Sequence, residues 1–201
     1  MAGAWVNGAC VMAVVVAACA GGASTARPYL ARFGAQAPKP ESFAVCWGYG
    51  CPNEAAIDLT AAWAELGRAF ALPPADAAAE RVRIAAAVGL WERAAAGATP
   101  IGGDLGGTFG GVGHAGQLDC VDETVNTTRL LVMIENAGFL RFHRTRMPAT
   151  RGAFVFGWPH TTAVLEERSS GARFAIDSWF HDNGTTAEVV PIAAWQAGWS
   201  P

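Results

Sequence analysis

Apolar positions recur at helical spacing in the first half of the chain and at short, strand-like spacing in the second. In LTAAWAELGRAFA, Trp63, Leu66 and Phe70 fall at i, i+3 and i+7, which predicts a helix with Thr60 as its cap. After Pro73-Pro74 a longer helix is expected over 75–96, striped by Ile84, Val88 and Trp91 and stopped by Gly97. Ahead of both, SFAVCW reads as a short strand. Residues 21–41, rich in Ala, Gly and Pro, read as a linker. Residues 97–118 hold nine glycines and little periodicity, so a long loop is expected, of the kind that is either functional or disordered. Gly111, Gly113 and Gly116 spell a formal GxGxxG, but no buried strand precedes it, which excludes the dinucleotide-binding reading.

Asp119 then opens a third helix as its N-cap, with Asp122 three residues on as an acidic version of the capping box. Val121, Val125, Leu130, Leu131 and Val132 supply its apolar surface, and Gly138 ends it. Beyond that point FLRFHR, AFVFGW, HTTAVLEER and RFAIDSWF are short, aromatic and β-branched, the pattern of an antiparallel meander. AEVV adds an edge strand and IAAWQAGW a closing helix. Helices followed by a sheet make the fold class α+β.

Composition narrows the picture. A chain of 201 residues, 52% apolar and 15% charged, suits one globular domain. The net charge of -3 gives no footprint for nucleic acid. All of the 14 basic residues but Lys39 are arginine, a compositional bias. The first apolar run, ACVMAVVVAACA from Ala9 to Ala20, is too short to span a bilayer and has the size of an export-signal core. VAAC, ending at Cys19, resembles a bacterial lipobox, while ACA, ending at Ala20, suits ordinary cleavage; both stay open. The expected organisation is an export or lipoprotein signal over 1–20, a linker over 21–41 and one domain over 42–201. The expected location is the periplasm, or the bacterial cell envelope through a lipid on Cys19, which would be the chain's one membrane contact.

Export changes the meaning of the cysteines. Cys46 and Cys51, in CWGYGC, can close a small disulfide loop in an oxidising compartment. Two Cys are too few for a metal site, and the spacing is not CxxC. Cys120 is left over, an odd thiol at the first position of the Asp119-capped helix. There the helix dipole and free backbone N–H groups are expected to lower its pKa, and the same N–H groups can stabilise an oxyanion.

A base must come from His114, His143, His160 or His181. His160 starts HTTAVLEER and Asp177 lies near the end of RFAIDSW, the next strand. If paired positions in that hairpin sum to an odd number, as with Thr162 opposite Asp177, His160 and Asp177 share one face as a diagonal pair. An even sum separates them. Together the three residues make a Cys120–His160–Asp177 triad for acyl chemistry. The competing class is a non-catalytic cell-envelope binding or structural module. A third reading is a redox protein using Cys46, Cys51 and Cys120.

DCVDETVNTTRLL and PHTTAVLEERSSGARFAIDSW resemble the transglutaminase-like superfamily of papain-like folds, in the flavour of bacterial transglutaminase-like cysteine proteinases. There a Cys heads a helix, a His begins a strand and an Asp follows on the next; Asp119, Cys120 and Asp122 reproduce the acidic residues around that Cys. The chain departs in carrying Thr161-Thr162 where an aromatic is common after the His. The resemblance implies an exported thiol hydrolase or acyltransferase, a thioester intermediate, a protein or peptide substrate of the cell envelope, and no metal or cofactor. It offers Gln117 as a second oxyanion donor beside the Cys120 amide, with Asp119 and Asp122 in support. Trp158, just before Pro159-His160, would wall the cleft or pack in the core.

Overall fold

A computed structural model describes residues 24–34, 37–152 and 159–201. The segment read as an export signal, with Cys10 and Cys19, and AFVFGW with Trp158, lie outside the described residues. The elements run α1 (Arg27–Leu30), β1 (Phe43–Trp47), β2 (Asn53–Ile57), α2 (Thr60–Phe70), α3 (Ala77–Ala96), α4 (Cys120–Asn136), β3 (His143–Arg151), β4 (His160–Glu167), β5 (Arg173–Asp177), β6 (Glu188–Pro191) and α5 (Ile192–Gln196). Short 3-10 turns follow α1 and open the glycine loop at Pro100–Gly103. The architecture is α+β. No helix among the described residues is long and apolar enough to cross a membrane.

Helix α4 is the centre of the molecule. Asp122 through Ile134 are all buried, polar residues included, so the helix is enclosed on every side rather than striped. Its Leu130, Leu131 and Ile134 join Ile84, Val88 and Trp91 of α3, Phe43 of β1, and Leu165 and Ile176 of the sheet in the main core. β1 and β2 form an antiparallel hairpin. The larger sheet is a meander in the order β3-β4-β5-β6, every pair antiparallel. β4 pairs with β5 through Ala163↔Ile176 and Val164↔Ala175, the odd-sum register. One step further along, Asp177 lies level with Thr162.

Four expectations change. Part of the expected linker is folded: Ala26 and Leu30 pack with Val125 and Val132 of α4 because the short α1 turn aims its apolar residues at that helix. β2 follows β1 directly, although NEAAI shows little alternation. Thr60 is the first residue of α2 rather than its cap; the Asp58 carboxylate accepts both its N–H (2.8 Å) and its hydroxyl (2.5 Å). The strand expected at FLRFHR begins only at His143, because the N–H groups of Arg141 and Phe142 donate to the buried Glu80 carboxylate instead of to a ladder. β3 then runs past Pro148 by means of a register shift between Arg146 and Ala149, an irregularity that tolerates a missing N–H.

Candidate active site

The Asp119 carboxylate accepts from the N–H groups of Val121 and Asp122, and Asp122 returns the bond from the Asp119 N–H (3.1 Å), so the capping box is complete. Cys120 therefore stands at the first helical position, where its N–H has no intrahelical acceptor. It is half-buried and the free cysteine among the described residues. Its Sγ lies 3.8 Å from the Pro159 carbonyl oxygen, the residue before His160.

The β4–β5 register puts His160 and Asp177 on one face, and their side chains meet: Nε2 to Oδ2 is 2.7 Å. The same carboxylate oxygen accepts from the indole N–H of Trp195 on α5, also at 2.7 Å. The imidazole is boxed by aromatic rings, with centroids at 4.8 Å for Trp179 and 5.5 Å for both Phe180 and Trp195. His160, Asp177 and Trp195 are all buried, so water does not compete for the pair. The second ring nitrogen, Nδ1, is buried with no hydrogen-bond partner. A buried polar atom left unpaired is costly and asks for a reason.

The other histidines differ. His143 is buried with both nitrogens engaged, Nδ1 on Glu80 (2.8 Å) and Nε2 against Arg81 (3.2 Å). His181 pairs with Glu188 (2.8 Å), and His114 is exposed in the glycine loop.

Gln117 is hydrogen-bonded at both ends of its amide. Its amide nitrogen faces three acceptors, the Asp104 carboxylate and the carbonyls of Leu105 (3.0 Å) and Leu118 (3.4 Å), while its oxygen accepts from the Leu105 N–H (3.3 Å). Both ends are engaged in folding the glycine loop onto the start of α4. That loop is packed, not loose. A Cβ on Gly116, which has φ +80°, would sit 1.8 Å from the Pro100 carbonyl oxygen, and one on Gly106 would sit 2.4 Å from the His181 backbone. Only glycine fits at either point.

The thiol also departs from expectation. Burial pushes Cys120 up from its ordinary 9.0 to about 11; the N–H of Thr161 pulls it down, and the charges of Asp119 and Asp177 push it up further. The Thr161 N–H does not offset desolvation and two nearby carboxylates. At neutral pH this sulfur is a thiol, and it needs a base in contact to react.

Two arrangements gave no signal in the sequence, the first being where the disulfide loop docks. Cys46 and Cys51 are joined as a disulfide, as the spacing suggested, and the loop they close docks on α4. Asp122 accepts the N–H groups of Tyr49 (2.7 Å) and Cys51 (2.5 Å), and the Asn126 side chain both accepts from and donates to the Cys46 backbone (3.0 and 2.8 Å). Tyr49 and Cys51 are also the non-glycine residues with left-handed φ among the described residues, 72° and 62°, a conformation that costs an L residue about 1–2 kcal/mol. The sulfurs and an Asp122 oxygen lie within 4.8 Å of one another, but sulfurs bonded to each other are not thiolate ligands.

The second arrangement is a set of buried acids behind Cys120. The Ser178 hydroxyl donates to Glu123, Gly184 donates to Glu92 (2.7 Å), and Leu118 donates to Asp104 (2.8 Å). Burial raises Glu92 to about 7 and Asp104 to about 6, and raises Glu123 well above its ordinary value with help from the charges of Glu92 and Asp104. In its protonated form this set ties α3, the glycine loop, α4 and the segment after Asp177 together.

Cavities of about 310 and 200 Å³ lie beside α1 and the β1–β2 hairpin, lined in part by Arg129 and Arg27, and neither is lined by Cys120, His160 or Asp177. Size therefore does not select the site; the chemistry does. No family model, curated protein or solved structure matches this chain.

Proposed function

We propose that the protein is a thiol hydrolase or acyltransferase of papain-like, transglutaminase-like design, acting on amide bonds through Cys120, His160 and Asp177. The observation that carries this reading is the state of one imidazole. His160 has Nε2 held by Asp177 and a bare, buried Nδ1, on the strand whose preceding carbonyl touches the Cys120 sulfur.

In the proposed reaction, Nδ1 of His160 takes the Cys120 proton as the sulfur attacks an amide carbonyl and the C–S bond forms. The Cys120 N–H at the head of α4 stabilises the oxyanion. As the C–N bond breaks, His160 returns the proton to the leaving amine, and a thioester remains. Water or an amine, deprotonated by His160, then attacks the thioester and frees the sulfur. Asp177 holds the ring in one tautomer and steadies its transient charge, and Trp195 holds Asp177. A thiol near 11 favours transfer in contact with the base over a standing thiolate. The disulfide suits an oxidising compartment, and with the export-like N-terminus it supports a periplasmic or lipid-anchored enzyme of the bacterial cell envelope. Protein or peptide amides are the proposed substrates.

A peptidyl chloroacetamide offered at pH 7.5 tests the reading. Mass spectrometry is expected to find the adduct on Cys120, none in Cys120→Ser, and a rate lowered on the order of a hundredfold in His160→Ala. Equal rates in wild type and His160→Ala would remove the base from the scheme. They would favour the second reading, a non-catalytic cell-envelope module, which the raised thiol pKa and the engaged Gln117 amide also fit. Adding hydroxylamine then separates acceptors: hydroxamate formation marks an enzyme that accepts amines.

A further inference from the structure

We propose that Asp122 is a positioning residue through which the disulfide-closed loop 46–51 keeps Cys120 in register with His160, so that the coupling of thiol and imidazole depends on the Cys46–Cys51 bridge being closed. The proposal rests on the Cys120–His160–Asp177 reading and adds a control to it.

Tyr49 and Cys51 hold left-handed backbone conformations that a side chain disfavours, and they are the two loop residues whose N–H groups bind Asp122. Such a conformation persists only where its surroundings over-determine it. Here the bridge constrains the loop from one end and the Asp122 carboxylate from the other. Asn126 fastens Cys46 to the same face of α4, one turn further on. Asp122 in turn accepts the Asp119 N–H and closes the capping box around Cys120. The loop and the cap thus form one hydrogen-bonded unit, and Cys120 is the residue next to that cap.

Opening the bridge needs a dithiol reductant. Its two thiols supply two electrons and two protons, the Cys46–Cys51 S–S bond breaks, two cysteine thiols form, and the reductant leaves as a disulfide. Cys46 and Trp47 stay in β1, paired with Glu54 and Asn53 of β2, but residues 48–51 lose the covalent tie that closes the loop. Tyr49 and Cys51 relax out of the left-handed region and withdraw their N–H groups. Asp122, fully buried, keeps only the Asp119 N–H, and a carboxylate does not remain in the interior with one donor. The first turn of α4 takes up water, and Cys120 becomes an ordinary solvated thiol without a working base.

A double-mutant cycle tests this without any substrate. Iodoacetamide labelling of the Cys120 peptide is timed at pH 7.5 in the wild type, His160→Ala, the Cys46→Ser/Cys51→Ser pair, and the three changes combined. With the bridge closed, His160→Ala is expected to slow labelling at least tenfold; with the serine pair, less than twofold. The serine pair is also expected to follow an ordinary thiol titration near pH 8.5, a profile that destabilisation by itself does not produce. A full His160 effect in the serine background overturns the coupling and leaves the triad standing. No His160 effect in the bridged protein overturns the triad and the coupling with it. If circular dichroism shows the serine pair unfolded, Asp122→Asn replaces it with the bridge intact. An undiminished His160 effect there overturns the proposal, and one reduced at least threefold supports it.

Discussion

Two buried histidines of this chain each lean on a carboxylate, and they serve opposite ends. His143 on β3 gives Nδ1 to Glu80 and sets Nε2 against Arg81, while Glu80 also gathers the N–H groups of Arg141, Phe142 and His143. Every polar atom of that ring has a neighbour. His160 on β4 gives Nε2 to Asp177 and keeps a buried Nδ1 bare. Burial and a carboxylate partner are common to both, so neither marks a reactive site. What separates them is an unsatisfied nitrogen, on a strand whose preceding carbonyl lies 3.8 Å from the Cys120 sulfur.

Removing each ring breaks the comparison most sharply. His143→Ala leaves the Glu80 carboxylate buried without its main partner, which is expected to cost about 3–5 kcal/mol. That corresponds to a melting temperature lower by roughly 10 °C or more, with the labelling chemistry of Cys120 unchanged in protein that stays folded. His160→Ala should do the reverse, a large loss of Cys120 labelling at neutral pH with a smaller change in melting temperature. Differential scanning calorimetry beside timed alkylation reads both. If His143→Ala slows labelling of folded protein as much as His160→Ala does, the distinction between the two histidines fails.

The contrast also shows what could be read from residue order. Asp119 before Cys120 specified the helix start, because a capping box is local chemistry. The face shared by His160 and Asp177 was legible only as a condition: the SSG turn permits two registers, and packing of Ala163, Leu165 and Ile176 on α4 and α3 selects one. Trp195 was invisible as a partner, since it reaches Asp177 from a helix beyond the end of the sheet. The thiol's direction was misjudged for the same reason. The helix end is a local property, whereas the burial that raises the thiol comes from distant segments, with the charges of neighbouring Asp119 and distant Asp177 adding to it. The partners of Gln117 were invisible because Asp104 and Leu105 lie across a glycine loop whose folding no periodicity reports.

The acids behind Cys120 sharpen the comparison through pH. Burial lifts Glu92 from 4.5 to about 7, so the folded state holds this proton more tightly than the unfolded chain does. Stability from such a group is fully present below pH 4.5 and is lost as pH rises through 7. For Glu92 the displacement corresponds to roughly 3 kcal/mol at most. Glu80, beside His143, runs the other way: burial pushes it up, but the His143 ring and the N–H groups of Phe142 and Arg141 outweigh this and lower it. Its contribution is present above its ordinary pKa and lost in acid. Chemical denaturation at pH 5 and pH 8 is therefore expected to find the protein more stable at pH 5, with Glu92→Gln flattening the difference. Equal stability of wild type at both values would mean these acids do not retain protons in the folded state.

The smallest expected effect isolates the indole. Trp195→Phe preserves the ring packed on His160 and deletes the N–H donated to Asp177, one hydrogen bond to a charged group, worth about 1.5–3 kcal/mol. Asp177 keeps its bond to His160 but loses the contact that fixes its direction, so Cys120 labelling at pH 7.5 should fall severalfold rather than a hundredfold. Arg81→Met makes the matching deletion on the other histidine, removing the donor beside His143 Nε2 and the ion pair to Glu167 (3.2 Å). It should lower stability and leave labelling alone. A Trp195→Phe protein that labels at the wild-type rate would show that Asp177 needs no second anchor, and that the aromatic box around His160 serves packing only.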